Sequence, residues 1–189
     1  MSGYPIELEE DVVLDDGRQV HVRPIRPDDL EDLAAAIQHA DADTLRRRFL
    51  GGAAPHSTGV LTRLVTVDYV RRFALVARSP EGQGVGIARY EGEGSWPAVE
   101  VAAVVDPAWR GVGLGRELVR RVVARAIDMG ATRLAADFFA DNRQVAALIA
   151  EAGLPGTRHL ERGVIAEDID LRPLMRPARV GSGTAERSW

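Results

Sequence analysis

The residues best placed for chemistry lie in one stretch, Asp106-Pro107-Ala108-Trp109-Arg110-Gly111-Val112-Gly113-Leu114-Gly115, between an apolar segment at Val99 to Val105 and a helical one. Glycines at a strand-to-helix junction let the main chain turn tightly and come close to a ligand. The first turn of a helix has N–H groups without intrahelical acceptors and the positive end of the dipole, so the junction suits phosphate oxygens, and Arg110 adds a charge. The same glycines would also serve a turn that only lets the helix pack closely, and on the glycines alone the two readings stand even. Two related motifs fail. A G-x-G-x-x-G fingerprint beginning at Gly111 needs glycine where Arg116 stands, and the phosphate loop needs a lysine.

All 24 basic residues are arginine, and the chain has neither lysine nor cysteine. A lysine Schiff base, a cysteine acyl-enzyme and lysine autoacetylation are therefore excluded. No G-x-S-x-G elbow is present. His21, His39, His56 and His159 do not show metal-ligand spacing, so no metal is expected. Asp68 and Asp137 are read as turn or solvent-facing carboxylates, with a place in a cleft as the alternative. Arg46-Arg47-Arg48 and Arg120-Arg121 are read as solvated helix faces, with a phosphate or an acidic partner as the alternative.

The elements that must position these groups follow from periodicity and punctuation. Val12 to Leu14 and Val20 to Ile25 flank Asp15-Asp16-Gly17, a hairpin signal. Asp28 and Glu31 fit a capping box opening a helix with Leu30, Leu33, Ala34 and Ile37 on one face. Further helical pieces are expected at Leu45 to Leu50 and Thr58 to Val67. Phe73 to Ala77, Val85 to Tyr90 and Val99 to Val105 read as an antiparallel meander. Leu114, Leu118, Val122, Ala126 and Met129 then form a helical stripe closed by Gly130. A strand at Arg133 to Phe138 precedes a helix capped by Asn142 and ended by Gly153, and Thr157 to Ile165 with Asp168 to Leu171 form a final strand pair. The order implies an α/β fold with a mixed, mostly antiparallel sheet, a central parallel crossover and flanking helices.

One domain over residues 1–175 and a disordered tail over 176–189 are expected from the length of 189 residues and the small, polar composition of the end. A hydrophobic fraction of 46% without a long apolar run speaks against a membrane span, and a net charge of −4 against broad nucleic-acid binding. The absence of cysteine and of a basic-then-apolar start suggests a cytoplasmic protein.

Arg110, Gly113 and Gly115 match the acyl-CoA signature [QR]-x-x-G-x-[GA], and with the surrounding order of elements the chain resembles the GNAT superfamily of N-acetyltransferases over roughly residues 18 to 172. Val20 to Asp29, Leu45 to Phe49, Val67-Asp68-Tyr69, Ala74 to Ala77 and Val99-Glu100-Val101-Ala102 resemble the catalytic domain of bacterial Pat-type protein lysine acetyltransferases. The resemblance implies acetyl-CoA as donor and a protein lysine as acceptor. A small-molecule amine, or a non-catalytic acyl-CoA-binding regulatory module, is the alternative. It further implies that Arg110, Gly111, Val112, Gly113, Leu114 and Gly115 hold the pyrophosphate. Main-chain groups of Val104 and Val105 would hold the pantetheine arm and polarise the thioester, and Asn142 completes the cofactor site. An alkylammonium of pKa about 10.4 needs a base before it can attack a thioester. Glu100 is the candidate, provided that partial burial on its strand suits it to the task. Many relatives carry a tyrosine acid four residues before the glycine that closes the Asn-initiated helix; here that residue is Ile149. A nucleotide-binding regulatory domain, found in some Pat-type enzymes, is not expected within this length.

Overall fold

The computed structural model describes residues 3–92, 94–153 and 155–175. The expected tail over 176–189 lies outside them. The strands are β1 (Glu10–Val13), β2 (Gln19–Pro24), β3 (Arg72–Arg78), β4 (Gly84–Glu91), β5 (Ala98–Val105), β6 (Arg133–Phe139), β7 (Gly156–Glu161) and β8 (Val164–Asp170). They form one sheet of order β1-β2-β3-β4-β5-β6-β8-β7, antiparallel throughout except for the parallel pair β5·β6. The helices are α1 (Leu30–His39), α2 (Ala42–Arg48), α3 (Thr58–Val65), α4 (Leu114–Asp128), α5 (Arg143–Ala152) and α6 (Arg172–Met175).

The period of α4 decides how it sits. Leu114, Leu118, Val122 and Ala126 are all buried and meet Phe73, Leu75, Ala88 and Tyr90 on one face of the sheet. Each of the larger of these side chains contributes roughly 2 kcal/mol by leaving water. The opposite face is covered by α1 and α3, where Leu30, Leu33 and Val65 pack on Ile25, Ala74, Val76 and Ile87. Strand alternation divides β4 accordingly: Ala88 and Tyr90 face α4, while Ile87, Arg89 and Glu91 face the other way.

The hairpin, the meander and the helix punctuated by Gly130 fall where the pattern places them, and three expectations shift. Asp29, not Asp28 with Glu31, opens α1. Its carboxylate accepts the Arg26 N–H at 2.7 Å and takes the buried Arg23 guanidinium at 2.8 Å. The second helix begins earlier than expected because Asp41 accepts the Thr44 N–H at 2.9 Å. The last hairpin turns at Arg162-Gly163, both at positive φ, so β8 runs straight through Ala166 to Asp168. Those acids tolerate a strand because arginines face them: Arg158 Nε lies 2.6 Å from Glu167, and Arg133 pairs with Asp168.

Candidate active site

The sheet opens where β5 and β6 part. Their ladder covers only Ala98 to Glu100 against Arg133 to Ala135, while β5 stays paired with β4 out to Val105 and β6 with β8 out to Phe139. Side chains hold the fork apart. Arg110 Nε donates to the Val105 carbonyl at 3.0 Å, taking an acceptor that β6 would otherwise use. At the tip of β6, Arg46 stacks 3.9 Å over Phe139 and Arg47 pairs with Asp141 at 3.0 Å, which ties α2 to this flank. The fork opens into a cleft of about 780 Å³ lined by Glu100 to Val105, the glycine turn and one side of α5.

At one end of the cleft lies the glycine turn. Gly111 and Gly113 have φ of 77° and 86°, a left-handed conformation that accounts for glycine at both positions. Among the described residues the N–H groups from Gly111 to Gly115 have no protein acceptor, and the dipole of α4 adds to their potential. These donors fit a pyrophosphate. Gly111, Gly113 and Gly115 line the cleft with Arg110, whereas Leu114 is buried in the core and Val112 packs against it, leaving only their main chain for a ligand. Arg110 acts as a brace: besides Val105 it donates to Thr44 Oγ1 at 2.6 Å, joining the turn to α2. Asp15, which the sequence marks only as part of the hairpin turn, stands beside Gly113 and pairs with Arg116 at 3.0 Å.

The two valines at the end of β5 divide. Asp106 donates its N–H to Val85 at 3.0 Å, so by strand alternation Val104 also turns its main-chain groups to β4, and Val105 and Ala103 turn theirs to the fork. Asn142 lines the cleft and caps α5, accepting the Val145 N–H at 3.4 Å. Ile149 lines it too and offers no proton. None of the three tyrosines does so; their hydroxyls donate to Glu9, to the Ile25 carbonyl and to the Val70 carbonyl.

Glu100 stands at the crotch of the fork, exposed, its carboxylate without a hydrogen bond or ion pair among the described residues. The partial burial expected of it is not found, because the strands part beside it and admit water. Asp137 faces it across the fork, exposed as well, whereas Asp68 is a turn residue that accepts three main-chain N–H groups, from Val70, Arg71 and Arg72. Arg48, read as part of a solvated run, is half-buried at the C-terminal end of α2. Burial and the nearby Arg89 push its guanidinium below the ordinary value, while Glu100 and Glu91 oppose that shift. No pattern in the sequence marks Arg48 and Arg89 as neighbours, although an arginine between Ile87 and Glu91 on one strand face was a sign of a buried charge. Among the described residues no three His, Asp or Glu side chains come together as for a metal, and no helix is long and apolar enough to cross a membrane.

Residues 19–155 match the acetyltransferase (GNAT) domain family. An acetyltransferase of Pseudomonas aeruginosa is 32% identical over 148 residues, 77% of this chain and 80% of that protein. The acetyltransferase Pat of Mycolicibacterium smegmatis is 28% identical over 160 residues, 84% of this chain and 47% of Pat, so the chain spans about half of that relative. The crystal structure of the GNAT domain of S. lividans PAT superposes with a TM-score of 0.79 at 29% identity, covering 89% of this chain and all 100% of that one. The chain belongs to the GNAT family and is an acetyltransferase that takes acetyl-CoA as its donor. Within the family it resembles the Pat-type catalytic domain.

Proposed function

We propose that the chain transfers an acetyl group directly to an amine at the fork, with Glu100 as general base. The observation that carries this reading is the position of an unpaired carboxylate where the sheet opens, in line with the donor-rich turn at the far end of the same cleft. The pyrophosphate rests on the N–H groups from Gly111 to Gly115, and the pantetheine arm runs along Val105 with its thioester near Ala103. Glu100, directly or through water, takes a proton from the acceptor ammonium. The freed nitrogen attacks the thioester carbonyl, and main-chain N–H groups of β5 hold the oxygen as charge builds. The new C–N bond forms, the C–S bond breaks, and the second nitrogen proton passes through water to the departing thiolate, since Ile149 supplies none.

The likeness to Pat-type domains supports a lysine of a partner protein as acceptor. A second reading, a small-molecule amine, is favoured by a second cavity that shares Arg48, Ala102 and Val104 with the cleft lined by Glu100. Thiol release from acetyl-CoA, measured with a panel of proteins and small amines, separates the two. Intact-mass measurement should find no acetylated intermediate that passes its group to acceptor; finding one would end the direct route.

A further inference from the structure

A second cavity, of about 360 Å³, opens off the cleft beneath α1, α2 and α3. It shares Thr44, Arg48, Ala102 and Val104 with the cleft, so its mouth adjoins the strand that carries Glu100. Its volume falls at the low end of the roughly 300–1,000 Å³ typical of small-molecule sites. The walls are apolar, with Leu33 and Ile37 from α1, Leu45 from α2 and Leu64 from α3.

Arg48 and Arg89 interrupt this lining. Arg89 is 5% exposed; it donates to the Leu64 carbonyl at 3.3 Å and pairs with Glu91, but its Nε has no acceptor among the described residues. A buried donor left without an acceptor is destabilising until a ligand or water supplies one. Arg48 makes no hydrogen bond or ion pair among the described residues, and its guanidinium lies 5.1 Å over the Phe49 ring. Glu91 cannot serve it fully, being divided between Arg72 and Arg89. Where the cavity meets the cleft stand a cation, Arg48, and an anion, Glu100, which feel each other's charge but form no salt bridge among the described residues. A zwitterion complements both.

We propose that the acceptor is an α-amino acid with a large apolar side chain. Its ammonium stands at Glu100, its carboxylate meets Arg48 with Arg89 behind, and its side chain fills the cavity. This rests on transfer at Glu100 and narrows the second reading to a substrate class. A carboxylate taken out of water needs such a cation, and an amine lacking the carboxylate would leave Arg48 unpaired.

Thiol release with acetyl-CoA is to be compared for L-phenylalanine and L-leucine, for phenethylamine and isoamylamine, and for lysine-bearing peptides. The amino acids should show kcat/KM about 10- to 100-fold above their decarboxylated counterparts. Arg48→Met should erase that ratio through KM, with CoA affinity unchanged. Equal kcat/KM for acid and amine in the unaltered protein, an undiminished ratio in Arg48→Met, or turnover confined to peptide lysines would overturn the proposal. 3-Phenylpropionate, which has no amine to acetylate, separates this from failure at Glu100. Its calorimetric binding to the CoA complex, lost in Arg48→Met, supports the cavity even where no amine is acetylated. Transfer to amines without such binding overturns the cavity and leaves Glu100 in place.

Discussion

On one side of β5 lies the turn proposed to receive the cofactor, contiguous in sequence from Asp106 to Gly115, which offers main-chain N–H groups. On the other lies the proposed acceptor face, assembled from α1, α2, α3 and the outward-facing residues of β4 and β5, which offers the side chains of Arg48, Arg89 and Glu100. A main-chain site needs only a local conformation, which two left-handed glycines and a helix start supply. A side-chain site needs distant elements to dock in one register, and its charges are held by packing. The turn should therefore fail through substitutions that obstruct it, and the acceptor face through loss of single charged groups.

The largest effect is expected at Glu100. Glu100→Gln should keep CoA affinity and the fold while lowering kcat/KM by about 10²–10⁴ at neutral pH, the usual worth of a positioned base. The loss should shrink as pH rises and neutral amine becomes available without help. Parallel pH profiles for the two proteins would instead make Glu100 a positioning group.

Next comes the anchor of the acceptor face. Burial alone would raise the Asp29 carboxyl, but hydrogen bonds from Arg23 and the Arg26 main chain outweigh it and hold the carboxyl below the ordinary range. Asp29→Asn leaves Arg23 buried without its partner and should destabilise the fold by about 3 kcal/mol in denaturant unfolding. A depressed carboxyl contributes stability above its unfolded pKa of about 3.9, and that contribution is lost as pH falls through the lower folded value. The difference between the two proteins should thus be constant from neutral pH down to about pH 4 and narrow only below it. A gap that closes near pH 6 would implicate another group.

For the turn, the sharper substitution is Gly115→Val. A Cβ at Gly115 meets only Val105, at 3.5 Å, whereas at Gly113 it would come within 2.7 Å of Asp15 and sit at a φ of 86°. Gly115→Val should keep its melting temperature within a few degrees and lose roughly 30-fold in CoA affinity, the worth of about one charge-assisted hydrogen bond to phosphate. Undiminished affinity by calorimetry would move the pyrophosphate elsewhere.

Legibility followed the same division. Gly111, Gly113, Asn142 and Gly153 stood out in the sequence because each answers a local demand, a left-handed turn or a helix end. Local reading erred where a distant residue intervened. Asp29 rather than Asp28 opens α1 because Arg23 is buried against it, and Glu167 and Asp168 belong inside β8 because Arg158 and Arg133 face them. Glu100 is a candidate through resemblance alone, and its exposure, contrary to expectation, follows from the parting of β5 and β6.

The sequence by itself determined the element order, the glycine turn at the head of α4 and the exclusion of lysine and cysteine chemistry, because 3.6- and 2-residue periodicities, glycine conformations and residue types are properties of short stretches. Only the tertiary structure decided that β5 and β6 part after Glu100, that Val105 rather than Val104 turns its main chain to the opening, and that Arg48 and Arg89 line one cavity. Those features depend on strand register and on contacts between residues tens of positions apart, where a shift of one residue would turn each side chain to the other face.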